Sequence, residues 1–204
     1  IHTMRFFFLL LLNTLLLSGF NVTAQSDCNC SEANLVKYYA MNQDDDSIGI
    51  AQLIQSLQHS KNEACKIFAM NMEIEQLFNH KRLEDALHQI QIQENLLNAL
   101  NCKASLQVYA NLNYAEYYRQ KEDYENVSKY AFNALSNAED QHDKKNELKA
   151  MYAIVHMFTR QTQYEKNPEY IQRAEKIIAS LDEDFLTPTN YNWLAFEYET
   201  IYSF

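Results

Sequence analysis

Glycine is nearly missing. Of two in 204 residues, Gly19 falls in an apolar leader and only Gly49 stands beyond it. Proline is as scarce, at Pro168 and Pro188. Strand-rich folds need many tight turns, which favour Gly, Pro and Asn-Gly, so their shortage excludes such a fold. It predicts long helices joined by short polar links, and the abundant Glu, Gln, Leu, Ala and Lys are good helix formers. Without glycines there is no phosphate-cradling loop, and no His-Glu-x-x-His motif occurs. The serines lack a nucleophile-elbow context. Carboxylates are plentiful, but no spacing singles out a pair for acid–base work. No catalytic residue, cofactor or metal is therefore expected. His59, His80, His88 and His142 lie in polar or boundary contexts, and His156, in an apolar helical pattern, reads as a satisfied structural histidine. Basic residues are outnumbered, 17 Lys and Arg against 27 Asp and Glu, for a net charge of -10. That charge repels nucleic acid and excludes it as a partner of this segment.

Long apolar runs are also few. The main one, Phe6 to Leu17, follows Met4-Arg5 and leads to the small residues Val22-Thr23-Ala24. Positive start, apolar stretch and small-residue site together predict a secretory signal peptide over 1–24, cleaved after Ala24, with residues 1–3 as upstream read-through. The run falls short of the roughly 20 apolar residues that a membrane span needs. The expected location is periplasmic or extracellular, and a membrane enters only if a spanning helix follows residue 204.

Cys28, Cys30, Cys65 and Cys102 follow the leader. In an oxidising compartment four cysteines permit disulfides, with three connectivities. Cys65 and Cys102 sit at neighbouring ends of one proposed helical hairpin and form the candidate pair. Their offset is about 9 Å along the helix axis, so the link after Leu100 would have to fold back to reach the roughly 7 Å limit between α-carbons.

Helical periodicity organises the rest. Residues 25–60 hold two N-terminal helices. The first covers 31–41, with Ser31 as N-cap and Leu35, Val36, Tyr39 and Ala40 inward. The second carries Ile48, Ala51, Leu53, Ile54 and Leu57. From 61 onward hairpins recur. Ile67, Met70, Ile74, Leu77 and Phe78 are answered, across Asn79-His80-Lys81-Arg82, by Leu83, Ala86, Leu87, Ile90 and Leu97. Val108, Leu112, Ala115 and Tyr118 are answered by Tyr124, Val127, Ala131, Ala134 and Leu135. Leu148, Met151, Ile154, Val155 and Phe158 are followed by a longer link, then Pro168 in a first turn and Ile171, Ala174, Ile177, Ile178 and Leu181. A further helix carries Trp193, Leu194, Phe196, Ile201 and Tyr202. The series predicts an all-α fold of stacked antiparallel hairpins.

These hairpins resemble the tetratricopeptide repeat family. Residues 108–141 carry the resemblance best, with Leu112, Ala115, Tyr118, Tyr124, Ala134 and Leu135 at the family's packing positions. Val127 replaces its usual alanine and Ala131 its usual aromatic. Residues 67–100 match at Leu77, Leu83, Ala86 and Ile90, and the third hairpin only around Ala174. The step from Leu83 to Tyr124 is 41 residues against the family's 34, an insertion of two helical turns. The resemblance implies a right-handed α-solenoid whose first helices line a groove for a protein or peptide. Carried over, the groove positions are Phe68, Asn71, Glu75 and Phe78, then Tyr109, Leu112, Glu116 and Arg119. An acidic-aromatic groove of this kind favours basic or apolar peptides. Tyr118 and Tyr124 are packing residues, whereas Tyr109 and Tyr117 are freer to form contacts.

A helical array needs a polar closing face. The unfinished aromatic pattern at Tyr202-Ser203-Phe204 predicts that the chain continues or is covered by a partner. A signal peptide followed by degenerate repeats also resembles the extracytoplasmic input regions of bacterial sensors. Two functions are thus expected: an exported scaffold or adaptor for proteins, or the sensory part of a signalling protein with its histidine kinase or DNA-binding output beyond residue 204.

Overall fold

The computed structural model describes residues 30–100 and 102–181. The expected signal peptide, Cys28 and the helix around Trp193 lie outside them. The described chain is all-α. Its helices are α1 (Glu32–Gln43), α2 (Ser47–Gln58), α3 (Glu63–Asn79), α4 (Leu83–Ala99), α5 (Lys103–Gln120), α6 (Tyr124–Asp140), α7 (Lys144–Arg160) and α8 (Asn167–Ile178), with a short 3-10 turn at Tyr164–Lys166 before α8. Each packs on the next, and α3 also packs on α5, as α5 does on α7. First helices thus stack on first helices, as expected of serial hairpins.

The turns show how this is done without glycine. Asp45, Lys81, Glu122, His142 and Thr162 all take the left-handed conformation, with φ between 52° and 60°. After each, an N–H reaches back five residues to close the preceding helix: Arg82 to Leu77 at 2.9 Å, Asp123 to Tyr118 at 3.0 Å, Asp143 to Ala138 at 2.9 Å and Gln163 to Phe158 at 2.8 Å. This satisfies carbonyls that a helix end otherwise leaves open. In three turns the closing residue is an aspartate that also caps the next helix. Asp46 accepts from Gly49 N–H, Asp123 from Asn126 N–H and Asp143 from Asn146 N–H. One residue ends one helix and starts the next, which keeps the links short.

Inside, Ile67, Ile74, Ile90, Met151 and Ile154 are fully buried; each such side chain contributes roughly 1.5–3 kcal/mol. The inward faces of the second and third hairpins are those expected. The first two helices differ. Tyr38, not Tyr39 or Ala40, is the buried residue of α1, and its hydroxyl accepts from Gln76 Nε2 at 2.9 Å. Apolar residues ring this helix, so periodicity defined no single face. Ile48, expected inside, is 72% exposed, and Ile50 takes the inward place. Ser31 stands at the N-cap but its side chain makes no capping bond.

The expected Cys65–Cys102 bridge is overturned. Cys65 bonds to Cys30, with α-carbons 4.9 Å apart. The segment entering α1 lies against the start of α3, so Cys30 meets Cys65 directly, without the fold-back that a bridge to Cys102 required. Cys102 lies in the same buried cluster and is not a free thiol either.

Candidate functional site

The turns set the register of the repeats. Lys81, Glu122 and Thr162 recur 41 and then 40 residues apart. In that register the expected groove positions of α3 and α5 continue on α7 in four tiers: Phe68, Tyr109 and Lys149; Asn71, Leu112 and Tyr152; Glu75, Glu116 and His156; Phe78, Arg119 and Thr159. The α7 members were missed from sequence because the third hairpin matches the family's pattern only around Ala174. The recurring turn residues were the signal that would have placed them.

The first tier is closed. Lys149 Nζ donates to the Tyr39 hydroxyl at 2.6 Å and lies 5.4 Å from the centre of its ring, joining α7 to α1 across 110 residues. Phe68 is buried and meets Tyr109 edge-on at 5.6 Å. Burial pushes the Tyr109 hydroxyl up to about 12, with Asp143 adding to it and Asn146 and Lys149 opposing. Burial alone would lower the Lys149 ammonium, but Tyr39, Glu75 and Tyr109 outweigh it and hold the ammonium above its ordinary range. Glu75 is raised by burial and by Glu116, with Lys149 as the opposing cation.

The second tier rests on amides. Asn113 donates to Asn71 Oδ1 at 2.9 Å and to Gln93 Oε1 at 3.0 Å, and Gln93 donates to the Ile67 carbonyl. Asn71 is therefore engaged from within. Leu112 is half-buried. Tyr117, expected to be freer, is buried, because α5 has α3, α4, α6 and α7 around it.

In the lower tiers Arg119 grips Glu116 through Nε and Nη2, each at 2.6 Å, and Gln120 Nε2 donates to the same carboxylate at 2.7 Å. This bond to Glu116, more than any other influence, raises the Arg119 guanidinium. Both expected acidic positions thus face a cation of this chain, Lys149 at Glu75 and Arg119 at Glu116. That weakens the expected preference for basic peptides. Phe78 and Thr159 are buried and serve packing, Thr159 accepting from Asn167 Nδ2 at 2.8 Å.

His156 departs from the expected satisfied histidine. Its Nδ1 is buried without a hydrogen-bond partner. Burial, then Arg119 and Arg160, push the imidazole down to about 4, with Glu116 opposing, so it is neutral at pH 7. It lines a cavity of about 320 Å³ at the turn end of the tiers, together with Lys81, Leu83, Arg119, Gln120, Glu122, Tyr124 and Arg160. A second cavity, about 450 Å³, lies between α2 and the α3–α4 hairpin and includes Ile54, Leu77, His80 and His88. Its polar rim is largely self-paired: Glu73 with Gln58, His80 with the Gln76 carbonyl, Arg82 with Asp85. Among the described residues no group of three His, Cys, Asp or Glu is placed to hold a metal ion, and no helix is long and apolar enough to cross a membrane.

No family model matches this chain, and searches of curated proteins and of solved structures find nothing similar to it.

Proposed function

We propose that this chain is an exported, tetratricopeptide-like binding module that holds a protein or peptide against its row of first helices. The observation that carries this is the contact of Lys149 with Tyr39. With the Phe68–Tyr109 contact beside it, side chains of α1, α3, α5 and α7 lie in one tier, so that a single ligand segment would meet several hairpins at once. Half-buried tyrosine and leucine on the face of these helices supply contact area at low entropic cost. The Cys30–Cys65 bridge supports an oxidising compartment.

The test is selection of random displayed peptides against the wild-type protein, followed by binding of enriched sequences to a Leu112→Ala/Tyr152→Ala variant. The expected result is a set of peptides that bind the wild type and lose about tenfold or more in affinity on the variant. Absence of enrichment over an unrelated helical protein, or binding untouched by the double substitution, would overturn the reading.

A further inference from the structure

We propose that the cavity at the turn end of the first helices is a binding site for an oxyanion of the phosphate type, either the free ion or the phosphoryl group of a small monoester. The inference stands whether or not a peptide lies on the neighbouring face.

The chain is strongly acidic, yet three cations from three successive hairpins meet around this one cavity: Lys81 in the α3–α4 turn, Arg119 in α5 and Arg160 at the end of α7. Among the described residues neither Lys81 nor Arg160 forms an ion pair. Both are exposed at the rim. Opposing them are Glu122 on the rim and Glu116 behind Arg119. The C-terminal ends of α3, α5 and α7 also lie here, and their negative dipoles account for part of the taste for cations. They do not account for His156, which sits a full turn inside α7 with a ring nitrogen that is buried and unpartnered. The two unpaired cations stand at the rim of the space, and the unpartnered nitrogen belongs to a histidine of its wall and is itself buried.

The geometry also selects among anions. A carboxylate is planar and suits the fork of an arginine. The Arg119 fork is already filled by Glu116. What remains are separate donors rather than a second fork, Lys81 from the α3–α4 turn and Arg160 and His156 from α7, and a phosphoryl group offers three acceptor oxygens to such separate donors. Neutral imidazole adds one position that can accept from a protonated phosphate oxygen or donate to a bare one. About 320 Å³ is at the lower end of small-molecule sites, and leaves room for a small organic group beyond the phosphoryl.

Binding leaves a signature at His156. The cations that disfavour its protonation become balanced by the ligand, so its titration moves upward when the anion is present. The groups facing it are Arg119 and Glu116 from α5, Arg160 and Tyr152 from α7, and Tyr124, Lys81 and Glu122 around the cavity. The experiment follows the imidazole signals of the whole chain by NMR against pH, with the resonance assigned by a His156→Gln variant. The probes are inorganic phosphate and glycerol phosphate, each at about 10 mM and a fixed ionic strength of about 0.15 M against chloride alone. We expect a saturable rise of about one pH unit or more in the His156 midpoint. It should be absent in Lys81→Gln/Arg160→Gln, whose urea midpoint matches the wild type because both side chains are exposed. Tighter saturation by glycerol phosphate identifies a monoester, and equal saturation identifies the free ion; both uphold an oxyanion site. A His156 titration identical in phosphate and chloride, or a phosphate effect that survives the double substitution, overturns it. Neither result bears on the peptide selection.

Discussion

Arg173→Met tests how the last hairpin is held. Arg173 on α8 reaches Glu147 on α7 through Nε, at 2.9 Å, and through Nη2, and the same Nη2 meets Glu139 on α6. The Glu147 side chain is 1% exposed, and its other oxygen accepts from Lys144 Nζ at 2.8 Å, a lysine half in solvent. Burial is the largest single influence on Glu147 and acts to raise it, but Lys144 and Arg173 together prevail and hold the carboxyl below its ordinary range. With a depressed folded value, Glu147 contributes stability that is present above the unfolded value near 4.5 and lost as pH falls through the folded value. Methionine keeps the apolar stem of the arginine and removes its charge. The ionised Glu147 is then buried with one partly solvated partner. Stranding a buried charge costs about 3–5 kcal/mol. Lys144 remains and Arg173 was itself more than one-third exposed, so the expected loss is about 2–3 kcal/mol at pH 7. Burial now prevails at Glu147 and its titration rises. Protonation relieves the variant while it costs the wild type, so the gap narrows toward pH 4. Urea denaturation of both proteins at pH 7 and pH 4 measures this. A gap under about 0.5 kcal/mol at pH 7, or one of equal size at both pH values, would refute the reasoning.

Thr162→Gly should stabilise the chain by about 1 kcal/mol, because a β-branched residue at φ 58° is strained where glycine is not; an unchanged or lower urea midpoint would count against a left-handed turn there. Replacing Cys30 and Cys65 together with alanine should cost about 3–4 kcal/mol, as the bridge closes a loop with a sequence separation of 35. Calorimetric melting of the double variant reads this directly, and an unaltered transition would contradict the pairing.

Much of the fold was legible in sequence because it depends on neighbours along the chain. The scarcity of glycine and proline, the periodicity of the second and third hairpins, the turn at Asn79 to Arg82 and the place of Pro168 at the start of α8 are all decided within a few residues. The site was less legible. Lys149 and His156 lie in an apolar stretch of α7 like any polar residue on a helix face, and nothing local marks the one as the partner of Tyr39 or the other as unpartnered.

The sequence by itself therefore determined helix type, helix ends and hairpin order, since capping, backbone strain and amphipathic periodicity act over one or two turns of chain. Only the tertiary structure decided that Tyr38 rather than Tyr39 is buried, that Cys65 bonds to Cys30, and that Lys81, Arg119 and Arg160 share one cavity. These are relations between residues of different helices, mostly some 35 to 40 positions apart. They are set by the rotation of each helix about its axis and the curvature of the stack, which follow from how all the side chains pack at once.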